Sequence, residues 1–186
     1  MNQGQLFYLM GASGAGKDSL IDYAEHHLGK PETVRFVRRH VTRKTTSTNH
    51  NRDYYLPEAE FECLRATGYF AMNWERHGIC YGITHKINTW LEEGQSVVIN
   101  GSRQYYKQAR QDYPEIQTIL IIADLPILRQ RLLERGRESA EKINERLLAA
   151  EPLVPVNIEL NENLIIIDNN GPLKTAGEKL LKQLQP

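Results

Sequence analysis

Apolar residues along the chain form short runs that alternate with segments of helical spacing. Five runs are typical of strands and lie at residues 6–10, 33–37, 95–101, 117–123 and 164–167. Most are almost continuously apolar, as in parallel strands that are covered on both faces. Between them, apolar residues recur every three or four positions, which predicts helices at about residues 18–28, 86–93, 103–112, 126–134, 140–150 and 173–184. The alternation predicts an α/β fold with helices on both faces of a central parallel sheet.

The turn after the first strand carries the most specific motif. Its sequence is Gly-Ala-Ser-Gly-Ala-Gly-Lys-Asp at residues 11–18, which fits G-x-x-x-x-G-K-[ST] at every position but the last. Backbone N–H groups and the start of a helix would attract phosphates, and Lys17 would add a full charge at the β- and γ-phosphates. The motif predicts a nucleoside triphosphate site, the alternative being a glycine-rich turn that binds nothing. The expected nucleotide contacts are Gly11, Ala12, Ser13, Gly14, Ala15, Gly16, Lys17, Asp18 and Ser19.

Asp18 stands where the motif has the hydroxyl that ligates Mg²⁺, and Ser19 follows it. A carboxylate is an ordinary oxygen ligand for Mg²⁺, so Asp18 is a candidate metal ligand. An acidic residue in the first turn also stabilises a helix through its dipole. Both interpretations of Asp18 stay open on the sequence.

Composition sets the broad class. The length of 186 residues suits one domain, and 23 basic residues balance 23 acidic ones, so nothing in the net charge favours nucleic acid or a membrane as a partner. Cys63 and Cys80 form no C-x-x-C motif, and we expect two free thiols. With no signal-peptide pattern and no long apolar span, we expect a cytoplasmic protein.

Two insertions interrupt the predicted sheet. One covers residues of about 36–92 and holds a basic run from Arg38 to Lys44, a short helix near residues 57–65 and a hairpin within residues 69–83. Such a run is usually a solvated face, but at the end of a strand it also predicts a second anion site. The other, at about residues 126–150, is rich in arginine.

Read together, these features resemble the guanylate kinase family of P-loop kinases over nearly the whole chain. Thr42-Arg43, Asp53-Tyr54 and Tyr81-Gly82 are similar to the family's contacts to the acceptor. The resemblance implies ATP as phosphoryl donor, Mg²⁺ and a three-layer P-loop fold. It further implies a single domain with a core of about residues 1–35 and 93–186, an acceptor-binding insertion at 36–92 and a helical lid at 126–150. The catalytic residues implied are Lys17 and the lid arginines Arg131, Arg135 and Arg146.

Other positions depart from the guanylate kinase pattern. Met72 and Ile83 stand where the family has a carboxylate and a serine for guanine, and neither side chain can pair with a guanine edge. The remaining pattern resembles the ribose 1,5-bisphosphate phosphokinases of phosphonate degradation, which make 5-phosphoribosyl 1-diphosphate. A guanylate-type kinase with altered base choice is the alternative.

The sugar phosphate that this resemblance implies calls for cationic, aromatic and amide groups, and no base edge has to be read. The expected acceptor contacts are Arg43, Tyr54, Tyr81, Asn100, Ser102 and Arg103. Asn169 and Asn170, after the last strand, are expected to border the adenine, the alternative being an ordinary Asn-Gly turn. A homodimer is left open.

Overall fold

The computed structural model describes residues 4–29, 31–43, 52–76, 78–136, 139–148 and 164–185. The strands in these residues are β1 (Leu6–Gly11), β2 (Val34–Phe36), β3 (Arg39–Val41), β4 (Asp53–Tyr55), β5 (Phe70–Arg76), β6 (Ile79–Thr84), β7 (Ser96–Asn100), β8 (Gln117–Ile122) and β9 (Leu164–Asp168). The helices are α1 (Lys17–His27), α2 (Glu58–Ala66), α3 (Lys86–Glu92), α4 (Tyr106–Asp112), α5 (Leu125–Glu134), α6 (Ala140–Leu148) and α7 (Leu173–Leu184), with a 3₁₀ turn at Pro31–Thr33.

A five-stranded parallel sheet confirms the predicted α/β fold. Its strand order is β2-β7-β1-β8-β9, and Val34 lies opposite Ser96 while Thr118 lies opposite Leu164. Every residue of β1 is buried, which explains why this strand has no polar face in the sequence. The chain leaves β1 directly into the glycine-rich turn.

A second sheet has the order β4-β3-β6-β5. The predicted hairpin is confirmed as the antiparallel pair β5 and β6. The sequence did not predict β3, which lies inside the basic run and pairs in parallel with β4 and antiparallel with β6. Three residues, Arg39, His40 and Val41, are too few for an alternating pattern to be recognised, and pairing on both sides decides their conformation.

The chain divides into two compact units, one of residues 1–7 and 30–116 and one of residues 8–29 and 117–186. In the first, Phe61 of α2, Phe70 of β5 and Cys80 of β6 form a buried cluster. In the second, α1 packs on α7 so closely that a Cβ on Gly177 would overlap the Tyr23 ring. The assignment of the whole chain to one kinase domain with an insertion and a lid remains a prediction.

Three smaller features of the chain concern the start of α4, the two cysteines and the lengths of the helices. Residues 103–105 form a turn, so α4 begins at Tyr106, later than its apolar spacing predicts. Cys63 is exposed and Cys80 is buried, and both are free thiols, as expected. No helix in the described part of the chain has the length and apolar character needed to span a bilayer.

Candidate phosphate-binding and acceptor sites

The glycine-rich turn joins the buried strand β1 to helix α1. The Lys17 ammonium lies over this turn and donates hydrogen bonds to the carbonyl oxygens of Gly11 at 2.9 Å and Ala12 at 3.0 Å. The Leu20 N–H donates to the Gly16 oxygen at 3.0 Å, which begins the helical ladder at the end of the turn. The turn therefore presents a lysine and a helix N-terminus together, the arrangement that binds phosphate.

Gly16 is a position in this turn that requires glycine. Its φ of 91° lies in the left-handed region, where a side chain costs about 1–2 kcal/mol. A Cβ there would also overlap the amide nitrogen of Asn169. The motif glycine thus lets the loop backbone approach the end of β9.

Two side chains distant in sequence brace the loop. Asn169 is 2% exposed, and its Nδ2 donates to the Ala15 carbonyl oxygen at 2.7 Å. Arg131 of α5 donates from Nη2 to the Asn169 carbonyl oxygen at 2.8 Å. Sequence reasoning linked Asn169 to adenine and Arg131 to the lid, and it missed that both residues hold the loop. The nucleotide roles of both stay predictions.

Asn170 is engaged within the protein. Its Oδ1 accepts a hydrogen bond from the Asp124 N–H at 2.7 Å, and its Nδ2 donates to an Asp168 carboxylate oxygen at 3.1 Å. These bonds tie the end of β9 to the start of α5. An adenine contact by Asn170 is still a prediction.

The other predicted residues of this unit lie on helices. Asp18 is partly buried and Ser19 is exposed in the first turn of α1. Arg135 is exposed at the end of α5, and Arg146 lies on α6 with a side chain outside the described residues. Arg129, which was not predicted, donates from Nε to Asn144 at 2.9 Å and links α5 to α6. The described residues include no group of three metal-ligating side chains.

The other unit holds the predicted acceptor residues, and an ion pair lies among them. Arg39 of β3 contacts Asp53 of β4 through two parallel hydrogen bonds, from Nε to Oδ1 at 2.9 Å and from Nη2 to Oδ2 at 3.2 Å. Its Nη1 donates to the Asn100 carbonyl oxygen at the end of β7, at 3.2 Å. The Arg39 and Asp53 side chains are 12% and 1% exposed, so this pair is largely shielded from water. Sequence reasoning saw Arg39 only as part of the basic run.

Three aromatic rings stack in a column that begins at the Arg39 guanidinium. The guanidinium carbon lies 5.3 Å from the centroid of the Tyr81 ring. The Tyr81 ring stacks on Trp74 at 5.4 Å with an interplanar angle of 8°, and Trp74 stacks on Tyr105 at 5.5 Å. Stacking of this kind fixes ring orientation. Cross-strand pairing of Trp74 with Tyr81 was the available signal, but it needs the hairpin register to be known.

Arg43 and Tyr54 are the more accessible acceptor candidates. The Arg43 side chain is 35% exposed, with Nη2 4.0 Å from an Asp53 oxygen. Tyr54 is 49% exposed, and the guanidinium of Arg38 lies 5.4 Å from its ring centroid. Arg39 and Arg43 both lie beside the single carboxylate of Asp53, so these three side chains carry a net positive charge, as an anion site needs.

The remaining acceptor candidates are less accessible. Asn100 and Ser102 are 7% and 5% exposed, and Arg103 is half-buried in the turn before α4. Burial raises the pKa of the Tyr105 hydroxyl, with the charge of Asp112 adding to the rise. Burial also lowers the pKa of the His40 imidazole, against the charge of Glu60. Both groups are therefore favoured in their neutral forms.

Met72 and Ile83, the two positions that depart from guanine recognition, lie directly opposite each other on β5 and β6. Residues opposite each other share a face of the sheet, as do residues two apart, so they lie on the face of Trp74 and Tyr81. Both side chains have 0% exposure. Neither presents a polar atom to a ligand on this face.

Comparison with known proteins decides the family. The family model described as guanylate kinase matches residues 3–185. The chain belongs to the guanylate kinase family. The family is one of phosphotransferases, and membership implies ATP as phosphoryl donor, typically with Mg²⁺.

Within the guanylate kinase family, the chain is similar to proteins named ribose 1,5-bisphosphate phosphokinase PhnN. The one from Thiobacillus denitrificans is 40% identical over 184 residues, which covers 99% of this chain and 94% of the relative. The one from Desulfomicrobium baculatum is 43% identical over 176 residues, covering 95% and 91%. A crystal structure of guanylate kinase from Anaplasma phagocytophilum aligns with a TM-score of 0.66 at 15% identity, covering 99% of this chain and 86% of that one, which supports the fold alone.

Proposed function

We propose that the protein transfers the γ-phosphoryl group of ATP to ribose 1,5-bisphosphate. The observation that carries the proposal is the similarity, at about 40% identity over nearly the full chain, to relatives named for this reaction. The products are ADP and 5-phosphoribosyl 1-diphosphate, and the process served is phosphonate degradation. The acceptor site supports the choice, because it offers arginines and tyrosines while Met72 and Ile83 offer nothing to a guanine edge.

In the proposed reaction, an oxygen of the 1-phosphate attacks the γ-phosphorus, and the bond from that phosphorus to the β–γ bridging oxygen breaks. The attacking oxygen is already ionised, so no proton has to leave and no general base is required. Positioning and charge neutralisation then supply most of the acceleration. Lys17, on the loop, would neutralise charge at the β- and γ-phosphates. Arg43 and Tyr54 would hold an acceptor phosphate.

Mg²⁺ fits the residues present at the loop. Asp18 offers one carboxylate in the first turn of α1, and Mg²⁺ in kinases is usually held by one or two carboxylates together with substrate phosphates and water. A full protein cage is not needed, in keeping with the lack of one among the described residues. When bound, the ion would neutralise charge on the phosphates. Asp18 would hold it directly or through one of its waters.

The roles of Arg131, Arg135 and Arg146 as lid residues, of Asn169 and Asn170 beside adenine, and of Ser102 and Arg103 at the acceptor belong to the same proposal. A cytoplasmic location also belongs to it, while a homodimer stays open. These roles rest on the family resemblance and on the residue types. The enzymatic assay below tests the function itself.

The deciding experiment measures ADP formation with ribose 1,5-bisphosphate, GMP and AMP offered separately to the full chain. Unpaired guanine groups against apolar side chains cost about 1–3 kcal/mol each. Two or three such losses predict a handicap of GMP against ribose 1,5-bisphosphate on the order of a hundredfold or more in kcat/KM. Efficient use of GMP, with ribose 1,5-bisphosphate ignored, would establish instead the second candidate, a guanylate-type kinase.

A further inference from the structure

Three segments that were predicted separately as acceptor contacts meet at one unpredicted side chain, that of Arg39. Asp53 precedes Tyr54 and accepts two hydrogen bonds from Arg39. Asn100 accepts one through its carbonyl oxygen. The Tyr81 ring lies against the guanidinium face. Strands β4, β6 and β7 thereby share one contact point on β3.

The chemistry of these contacts requires a guanidinium. Its planar fork matches the two oxygens of Asp53, its third nitrogen reaches Asn100, and its face covers an aromatic ring at the same time. A lysine ammonium carries the same charge but has no second parallel donor and no flat face. Arg39 therefore fixes orientation in a way that charge alone does not.

Arg39 and Arg43 differ in how far Asp53 neutralises their charge. Asp53 is almost fully buried, and it neutralises Arg39 through a bidentate contact at 2.9 and 3.2 Å. Arg43 lies 4.0 Å from the same carboxylate and is three times as exposed, at 35% against 12%. The positive charge available to an anion is thus best assigned to Arg43.

We propose that Arg39 is a positioning residue of the acceptor site, which acts through Asp53, Asn100 and Tyr81 without touching the acceptor. It sets the place of Tyr54 through β4 and the plane of Tyr81, on which Trp74 stacks, with Tyr105 stacked on Trp74 in turn. This inference rests on the proposed function for the identity of the acceptor, but the packing that it assigns to Arg39 does not depend on that identity.

The test compares Arg39→Lys with Arg35→Lys in the full chain. Arg35 is the control, because it too donates to a side chain, that of Gln95 at 2.9 Å, and lies over a ring, that of Trp90. It stands on β2, outside the sheet that holds Tyr54 and Tyr81. A misplacement of about 1 Å costs about a hundredfold, so Arg39→Lys should lower kcat/KM for the acceptor by about that factor. The KM for ATP should stay within about twofold, and Arg35→Lys should leave both values unchanged.

Asp53→Asn and the double variant Arg39→Lys/Asp53→Asn complete the set. If Arg39 acts through Asp53, the double variant should lose no more acceptor kcat/KM than the worse single variant. Additive losses would mean that Arg39 acts on its own and would overturn the proposal. Equal acceptor kinetics in Arg39→Lys and Arg35→Lys, even with a lowered Tm, would overturn it as well.

A substrate-free measurement separates this inference from the proposed function. The chain has two tryptophans, so Trp90→Phe leaves Trp74 as the only one. Arg39→Lys in that background should increase quenching of Trp74 by acrylamide, because Tyr81 is released from one side. If the wild type ignores ribose 1,5-bisphosphate but Trp74 quenching rises, the proposed function fails and the inference stands. Unchanged quenching would overturn the inference whatever the substrate.

Discussion

Gly16→Ala should destabilise the protein and weaken its use of ATP. The left-handed backbone at this position, with φ of 91°, costs an alanine about 1–2 kcal/mol. The new Cβ must also displace the Asn169 amide from the Ala15 oxygen, and loss of that buried 2.7 Å hydrogen bond costs about 1–3 kcal/mol. The two losses together come to about 2–5 kcal/mol. For a chain of this size, each 1 kcal/mol lowers the Tm by about 2–4 °C.

Two other glycines divide this effect into its parts. Gly68 has φ of 70° but open space where a Cβ would stand, so Gly68→Ala carries only the backbone cost. Gly171 has open space and no positive φ, so Gly171→Ala should leave the Tm nearly unchanged. Thermal unfolding of the three variants, with the KM for ATP measured on each, gives the comparison. If Gly16→Ala and Gly68→Ala have the same Tm, the contact between the loop and Asn169 contributes nothing and the reasoning is refuted.

Three further predictions concern single side chains. Lys17→Ala should remove nearly all phosphoryl transfer and leave the Tm within a few degrees, because Lys17 is only partly buried and its ammonium donates to the loop carbonyls of Gly11 and Ala12. Unchanged turnover would end the assignment of the loop. Arg135→Ala should lower kcat more than it raises the KM for ATP, because a lid arginine contacts the transferring phosphoryl group only when the lid is closed. A change in KM alone would rule out the lid role. Iodoacetamide at pH 8 should modify the exposed Cys63 before the buried Cys80. Burial raises the pKa of the Cys80 thiol, with the charge of Glu75 adding to the rise, and the protonated thiol is a poor nucleophile. Mass spectrometry of the labelled peptides shows the order of modification.

The parallel sheet and the phosphate loop could be predicted from the sequence because their signals are local. A continuous apolar run such as residues 119–121 is typical of a central parallel strand covered on both faces. Two spaced glycines followed by a lysine, between a strand and a helix, are typical of a phosphate-binding loop. Short β3 carries no such signal, since Arg39, His40 and Val41 become a strand only through partners on both sides.

The site contacts that escaped prediction are those that depend on register. Arg39 meets Asp53 because β3 and β4 pair with Arg39 opposite Asp53, a relation that spacing along the chain does not contain. Asn169 meets Ala15 across 154 positions of sequence. The residue types of Arg39 and Asn169 are compatible with a place near a site, but the partner that each side chain binds depends on how the strands assemble.

The long reach of the Asn169 contact bears on the order of events during synthesis. The glycine-rich loop is synthesised before Asn169, which follows Ala15 by 154 positions. A nascent chain therefore has the loop sequence long before it has the side chain that supports the Ala15 carbonyl. The loop gains this support only when β9 has been made and has joined β8. Chains that stop before Asn169 would lack this support for the loop.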